Sequence, residues 1–326
     1  MGFEFKSIDK DDPNNVILDL RSQNLGDNGV KIVADYLKIN TVITVVDLSK
    51  TGMRDEGMKA LAEALKVNTS IMSIVLSKNE IGDEGMKALS EALKVNTSIT
   101  DIYLSDNQIG DEGMKILVEA LKVNTFITKI YLSWNHIGNE GLKSLSEALK
   151  INTSITEIYL FGNKIGYEGV KILAEVLKVN TSITDIYLYK NEIGNEGVKI
   201  LAETLKFNTS IINIDLDNNQ IGPEGMKILV DVLQYNYTIE YIGIYDNSGK
   251  IKKLVRPKNR KQRIIEWMPW KNHHVCKELE PMFHDIVMTL LYLFFISQIF
   301  LRREKLKLRY QQKKTPMFKK NENFIK

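Results

Sequence analysis

Residues 99–126 read ITDIYLSDNQIGDEGMKILVEALKVNTF, and close copies of this stretch recur with a 28-residue period from about residue 14 to residue 249. The first column in phase is Leu20, Leu48, Leu76, Leu104, Leu132, Leu160, Leu188, Leu216 and Ile244. The second is Asn79, Asn107, Asn135, Asn163, Asn191, Asn219 and Asn247, and the third is Gly29, Gly57, Gly85, Gly113, Gly141, Gly169, Gly197 and Gly225. Three uninterrupted columns predict a solenoid in which each copy is one structural unit.

Each unit is predicted to form one short strand and one helix. Apolar side chains alternate through Ile102 and Leu104, a pattern that predicts a strand of about three or four residues with one buried face. Asp111 follows as the expected helix N-cap. The helix then carries an apolar stripe formed by Met114, Leu117, Val118 and Leu121. Neither element can bury its apolar face alone, so neighbouring units are expected to stack.

The Asn column has a predicted mechanical role. It lies at the turn where each strand ends, inside the expected core. An amide side chain both donates and accepts, so it can satisfy backbone groups of adjacent units that would otherwise be buried without partners. The column is therefore predicted to be structural, and these Asn residues are not candidate ligands.

The L-x-L-x-x-N-x-I-G pattern, the E-G pair that opens each helix and the 28-residue period together resemble leucine-rich repeats of the ribonuclease-inhibitor type. NOD-like receptors and the GTPase-activating protein of Ran carry repeats of this type. The resemblance covers about residues 14–249. It implies an α/β horseshoe, with a parallel sheet on the concave face and helices on the convex face. Since one fold hosts many unrelated activities, the function has to be argued from the surface.

Composition favours a cytoplasmic protein. Cys276 is the single cysteine of 326 residues, which excludes an intrachain disulfide. The N-terminal residues lack an apolar run of signal-peptide length. Six glycosylation sequons recur at one point of the repeat: Asn68, Asn96, Asn152, Asn180, Asn208 and Asn236. Without a secretory signal they are interpreted as by-products of the repeated N-T-S turn.

Charge divides the chain into an acidic and a basic part. Residues 250–326 hold 20 Lys or Arg and six Asp or Glu, a formal charge of +14, and the whole chain is +3, which leaves −11 on residues 1–249. Nucleic acid is therefore not expected as a ligand of the repeats, because phosphates are bound by Lys and Arg. A basic protein partner, or the chain's own basic tail, fits an acidic solenoid better.

Strand alternation sends a central group of aromatic and acidic residues to the concave surface. The candidate anchors are Tyr103, Tyr131, Trp134, Tyr159, Phe161, Tyr187 and Tyr189. The acidic rim around them is Asp101, Glu157, Asp185, Asp215 and Asp217. Aromatic anchors within a polar rim are typical of protein-binding hot spots. The alternative is that the tyrosines stack on their neighbours and stabilise the sheet.

Catalysis, cofactor binding and metal binding are not expected. The sequence has no Gly-rich phosphate loop, H-E-x-x-H helix or G-x-S-x-G elbow. Arg54 stands on a loop that the Ran GTPase-activating proteins use against their partner, which leaves a GTPase activator as a minor alternative. His273, His274, Cys276 and His284 cluster in the sequence but lack the paired spacing of a structural zinc site.

The repeats are flanked by an N-terminal segment, residues 1–13, and by a long C-terminal tail. In the tail, residues 250–281 are interpreted as a basic linker or cap, 282–301 as an apolar helix and 302–326 as a basic tail. Within the apolar helix, residues 286–301 either cap the last repeat, lie at a membrane surface or span a membrane. The spanning interpretation makes the chain a membrane-anchored scaffold with cytosolic repeats. The oligomeric state is not predicted.

Overall fold

The computed structural model describes residues 16–245 and 251–255, in which strands and helices alternate. The strands are β1 (Ile17–Asp19), β2 (Val45–Asp47), β3 (Ser73–Val75), β4 (Asp101–Tyr103), β5 (Lys129–Tyr131), β6 (Glu157–Tyr159), β7 (Asp185–Tyr187), β8 (Asn213–Asp215), β9 (Tyr241–Tyr245) and β10 (Ile251–Val255). The helices are α1 (Gly26–Leu37), α2 (Asp55–Leu65), α3 (Asp83–Leu93), α4 (Asp111–Leu121), α5 (Asn139–Leu149), α6 (Tyr167–Leu177), α7 (Gly194–Leu205) and α8 (Pro223–Tyr235).

The strands form one sheet in chain order, and β1 to β9 are parallel. Each residue pairs with the residue 28 positions later, as Ile102 does with Ile130. The predicted solenoid of nine strand positions is confirmed. The last strand, β10, pairs antiparallel with β9 in the segment interpreted as a basic linker or cap. The sequence did not predict this strand, which ends the parallel series.

The core lies between the sheet and the helices. In each of the first eight strands the middle residue is buried and its two neighbours are half-buried, as in β4 around Ile102. The helices bury the predicted stripe, as α4 does with Met114 and Leu117. Each buried Leu or Ile side chain contributes about 1.5–3 kcal/mol of transfer free energy. The repeats therefore share one continuous core, as a solenoid requires.

The predicted Asn ladder is confirmed. Asn135 is buried, and its Nδ2 donates to the carbonyls of Leu104, one repeat earlier, at 3.0 Å and of Leu132 at 3.1 Å. Its Oδ1 accepts from the backbone N–H groups of Asn107 and Ile109, both at 3.2 Å. One side chain thus satisfies four backbone groups in the interior and ties two repeats together.

The sequon Asn residues form a second buried ladder, which precedes the strands, whereas the first ladder follows them. Asn152 Nδ2 donates to the carbonyls of Leu121 at 2.8 Å and Asn124 at 2.9 Å. Its Oδ1 accepts from the N–H groups of Ser154 at 2.9 Å and Ile155 at 3.0 Å. All six sequon Asn residues are buried in this way. The amide nitrogen that a glycan would occupy is therefore committed to the fold.

The expectation that Asp111 is the N-cap of its own helix is wrong. Helix α4 begins at Asp111, and the N-cap is Gly110. The Asp111 carboxylate instead reaches the next repeat, where Oδ1 accepts from the N–H groups of Gly138 at 2.7 Å and Gly141 at 2.9 Å. A Cβ at Gly141 would lie 2.6 Å from this oxygen. The Gly column is therefore needed for caps that cross from one repeat to the next.

One repeat lacks this cap. Tyr167 occupies the position that Asp or Asn holds in α1 to α5 and in α7; in α8, which no further described helix follows, the residue is Pro223. The next helix, α7, starts one residue early at Gly194, which has φ +66° and donates to the backbone carbonyl of Asn219 at 2.9 Å. Helix α1 starts in the same way at Gly26, with φ +54°. Where the preceding repeat supplies no side-chain acceptor, the N–H of the loop Gly donates to a backbone carbonyl instead.

Candidate functional site

Four tyrosines form a continuous stack on the face of the sheet turned away from the helices, the concave face. The ring centroids of Tyr103 and Tyr131 are 3.9 Å apart, and those of Tyr131 and Tyr159 are 4.0 Å apart. Tyr159 and Tyr187 follow at 4.3 Å, and no two successive rings differ in tilt by more than 14°. The four residues are half-buried. We call them the tyrosine ladder.

The ladder presents ring edges and hydroxyl groups to a partner rather than ring faces. Because the rings stack along the direction in which the strands follow one another, each inner face is covered by the next ring. The two ring faces that no other tyrosine of the ladder covers are the outer side of Tyr103, next to Val75, and the outer side of Tyr187, next to Asp215. The tyrosines therefore stack on one another, as the alternative interpretation expected, and the surface left for a partner is a row of phenol groups.

Three of the phenols, those of Tyr103, Tyr159 and Tyr187, have raised pKa values and remain protonated well above neutral pH. Burial raises the pKa of Tyr103 and Tyr187, and at Tyr159 burial and the hydrogen bond to Glu157 both raise the pKa. The Tyr159 hydroxyl donates to Glu157 Oε2 at 2.8 Å. Protonated phenols both donate and accept, so the row can pair with either kind of polar group on a partner.

A row of charged side chains runs beside the ladder. Each of them lies two residues before a ladder tyrosine on the same strand. Lys129 Nζ binds Glu157 Oε1 at 2.8 Å. Asp101, one strand earlier, has a buried Oδ1, and burial raises the pKa of its carboxyl against the opposing effect of Lys129. Asp185, one strand later, accepts hydrogen bonds from Thr184 and Asn213. The row therefore alternates in sign at one end and is acidic at the other.

Asp215 and Asp217 continue the acidic side, but they differ in exposure. Asp215 is half-buried, and burial raises the pKa of its carboxyl. Its Oδ1 accepts from the Asp217 N–H at 3.0 Å. Asp217 itself is buried, at 6% exposure. Of the acidic residues predicted for the rim, Asp217 is thus the one whose side chain is least available to a partner.

Among the predicted aromatic anchors, Trp134 is the most exposed, at 42%. Its ring meets Phe161 edge to face at 6.2 Å, and Lys190 Nζ lies 4.3 Å from the ring centroid. A Cβ at Gly162 would lie 2.6 Å from the indole, so Gly162 makes room for the ring. Phe161 in turn contacts Tyr189 at 6.3 Å. These residues form a second aromatic cluster at the end of the strands.

The left-handed backbone of Trp134, with φ +54°, belongs to the repeated turn rather than to this site. The same turn gives φ between 54° and 60° at Ser22, Lys50, Lys78, Asp106, Lys190 and Asn218. Such a conformation is unfavourable for a bulky side chain, and at the next repeat Gly162 adopts it with φ +69°. The turn therefore aims the indole over Gly162.

Arg54, the residue considered for GTPase activation, is exposed and ion-paired. Its Nε lies 2.8 Å from Glu80 Oε2 in the next repeat, and this hydrogen bond raises the pKa of the guanidinium group. Its backbone N–H donates to Asp27 Oδ1 at 2.8 Å, which is the cross-repeat cap described above. Arg54 therefore has structural contacts, and its role against a GTPase stays a prediction.

Several predictions fall on residues outside the described part of the chain. These are the N-terminal segment 1–13, the apolar stretch 282–301 with its run 286–301, the basic tail 302–326, and the group His273, His274, Cys276 and His284. Within residues 16–245 and 251–255, no helix is both long and apolar enough to cross a membrane. The same residues contain no cluster of His, Cys, Asp or Glu that could hold a metal ion.

Comparison with known families identifies the repeats. A leucine rich repeat model matches residues 40–62, 67–90, 95–118, 123–146, 152–174, 179–202 and 207–230, just over half of the chain. The chain belongs to the leucine-rich repeat family. Among solved structures, the leiomodin-1 actin-binding site 2 is similar at 25% sequence identity, with a TM-score of 0.34 over 37% of this chain and 69% of that chain. A search of curated proteins gave no significant match.

The sequence of this leucine-rich repeat protein indicated the ladder residues but missed their surroundings. Lys129, which lies between Asp101 and Glu157, was not among the candidates. Lys190 was also missed, although it lies two repeats after Trp134 in the same column. Gly162, the one glycine of that column, was the signal that could have revealed the contact between them.

Proposed function

We propose that this leucine-rich repeat protein is a non-enzymatic scaffold that binds a protein partner on the concave face. Leucine-rich repeats serve as protein-interaction scaffolds, and the proposal assigns the interaction to the tyrosine ladder and to the cluster around Trp134. Aromatic groups that are held rigid lose little entropy on binding, which makes them efficient contact residues. The ladder is rigid because each ring is stacked on the next.

The observation that carries the proposal is the continuous stack of four half-buried tyrosines on successive strands, with the half-buried carboxyls of Asp101 and Asp215 beside it. Burial raises the pKa of Asp101 and Asp215, which means that their charged forms are disfavoured where they lie. At neutral pH both carboxyls therefore oppose folding relative to a neutral side chain. Residues that destabilise the fold at a surface site are often retained because they serve a function.

The partner is proposed to be basic at its point of contact. The N-terminal 249 residues carry a formal charge of −11, and Glu157, Asp185 and Asp215 make one end of the concave face acidic. Lys190 already occupies one face of the Trp134 indole as an internal cation. An Arg or Lys of a partner would make the same cation–π contact and would gain from the nearby carboxylates.

A capture experiment tests the proposal. The full-length chain, a Tyr131→Ala and Tyr159→Ala double variant, and a Lys115→Ala control are compared as baits for one identified partner. Lys115 is an exposed residue of α4 on the convex side, so the control changes the surface but not the ladder. The double variant should lose the partner at unchanged far-UV circular dichroism, and the control should keep it. Equal capture by all three baits would exclude the ladder as the binding site.

The proposed location is the cytoplasm. The chain has one cysteine, and its six sequon Asn residues bury the amide nitrogen that glycosylation would modify. In a secretory compartment, modification of these residues before folding would remove the bonds that hold successive loops together. Both features fit a protein that folds in the cytoplasm. The rival functions, a membrane tether through residues 286–301 and GTPase activation through Arg54, have no observation in their favour among the described residues.

A further inference from the structure

One large apolar side chain is exposed at the same point of the repeat at the end of each of the eight helices, directly after the C-cap in α1 to α7 and as the last helical residue in α8. These residues are Ile39, Val67, Val95, Val123, Ile151, Val179, Phe207 and Tyr235, which we call the valine ridge. Their exposure runs from 58% at Val95 to 82% at Phe207. They make no contribution to the core, and a polar residue would be the ordinary occupant of such a position.

The ridge is continuous because the sequon Asn ladder holds the loops in register. Asn96 Nδ2 donates to the carbonyls of Leu65 at 2.7 Å and Asn68 at 3.1 Å, and each ridge residue immediately precedes a ladder Asn or its counterpart. Val42, Phe126 and Tyr237 are exposed on the same edge. Of fifteen exposed large apolar residues in the described part of the chain, eleven therefore lie on this edge. A concentration of this kind marks an interaction surface.

The border of the ridge is close to neutral. Lys is the C-cap of α1 to α7, and six of these seven lysines pair with the carboxylate three residues earlier, as Lys94 does with Glu91 at 2.6 Å and Lys122 with Glu119 at 2.8 Å. An anionic membrane surface requires net positive charge on the protein, whereas the N-terminal 249 residues carry −11. A border that carries positive and negative side chains in similar number can instead face an identical border on another molecule without net repulsion.

The apolar run of the chain itself is too short to cover the ridge. Sixteen residues reach about 24 Å as a helix. The ridge takes one residue from each of eight helices, and helices pack about 8–10 Å apart, so it extends over roughly 60 Å. A complementary surface of that length with the same spacing is available on a second copy of the chain.

We propose that the valine ridge is the interface of a homodimer. The same patch on both copies gives a closed, self-complementary contact, which is the commonest symmetry of soluble oligomers. Eight side chains that each expose on the order of 100 Å² supply about 800 Å² per copy, the area that a stable interface needs. The ridge lies at the start of the strands and the tyrosine ladder on the concave face, so the dimer leaves the proposed binding face free.

Sedimentation velocity of the full-length chain tests this proposal. The wild type should sediment as a dimer of 37.3 kDa chains, and Val123→Glu with Ile151→Glu should sediment as a monomer. Ile32→Glu is the matched control, because Ile32 is 53% exposed on α1 and lies off the ridge. It should remain dimeric. Val123→Thr with Ile151→Thr keeps both side chains branched at Cβ and adds no charge, and it should weaken the dimer in the same direction if the double Glu variant fails to fold.

Three results would overturn the proposal. One is a monomeric wild type at micromolar concentrations. Another is a dimer that survives both ridge substitutions, which would point to association through residues outside the ridge. The third is a monomer that binds vesicles of phosphatidylserine and loses that binding on Val123→Glu with Ile151→Glu, which would make the occupant a lipid surface. None of these results bears on the tyrosine ladder, so the concave-face proposal is tested separately.

Discussion

Tyr159 donates its hydroxyl hydrogen to Glu157, two residues earlier on the same strand, at 2.8 Å. Glu157 also binds Lys129 on the preceding strand at 2.8 Å. The glutamate therefore links the ladder to the charged row beside it. This contact fixes the direction of one phenol group in the stack.

Removing the Tyr159 hydroxyl should separate the contribution of its hydrogen bond from that of the ring stack. Tyr159→Phe keeps the ring stack and deletes the bond to Glu157, so unfolding in urea should require about 1 kcal/mol less. Tyr189→Phe removes the same atom beside Phe161 and serves as the control. If Tyr159→Phe and its control change the stability equally, the hydrogen bond to Glu157 does not stabilise the fold.

Alkaline pH should destabilise the protein through the ladder. The folded state raises the pKa of Tyr103, Tyr159 and Tyr187 above the ordinary value of 10.0. The unfolded chain therefore loses these protons first, and the stability that is present below pH 10 declines as the pH rises further. Urea unfolding of wild type and of the triple Phe variant from pH 8 to above pH 10 checks this. The variant should show a shallower decline, and identical slopes would contradict the account.

Asp215→Asn should stabilise the fold at neutral pH. Burial raises the pKa of Asp215 above its ordinary 3.8. The carboxyl therefore contributes to folding stability while it is protonated, below pH 3.8, and this contribution is lost as the pH rises through the folded-state pKa. An amide of the same shape removes the penalty. The melting temperature should rise at pH 7 and be unchanged well below pH 3.8. A lower melting temperature at pH 7 would mean that the carboxylate is stabilising after all.

Tyr167→Asp should restore the missing cap between α6 and α7. Asp111 bonds Gly138 and Gly141 in the corresponding place, so the new carboxylate should reach Gly194 and Gly197. The expected gain is about 1 kcal/mol, the size of a helix cap. Thermal melting measures it, with Tyr167→Ala as the control that removes the ring without adding an acceptor. Equal stability of the two variants would show that the cap cannot form there.

The repeat columns predicted the fold almost completely, because one buried face and one turn recur in every unit. Leu104 and Asn135 were assigned correctly, since their roles depend on local alternation and on the turn. The role of Asp111 was misassigned because its carboxylate bonds the next repeat, a contact that the sequence within one unit does not contain. Strand β10 was missed because its two lysines, Lys252 and Lys253, obscure the apolar signal, as is typical of edge strands.

The site was predicted only in part for a similar reason. Alternation placed Tyr131 and Tyr159 on the concave face, and the stack follows from the strand spacing. Whether a carboxyl such as Asp217 is exposed or buried depends on neighbours in other repeats, and that could not be derived from its column. The valine ridge was visible as a column, but its exposure depends on where the loop after each helix C-cap turns.

The measurement that tests the central claim most directly is site-specific photo-crosslinking in cells that express the chain. Benzoylphenylalanine is placed at Ser105, beside the tyrosine ladder on the concave face, or at Lys115 on the convex face of α4. The account predicts one discrete protein adduct from position 105, its loss when Tyr131 and Tyr159 are both replaced by Ala, and no such adduct from position 115. An adduct from position 115 alone, or equal adducts from both positions, would contradict binding on the concave face.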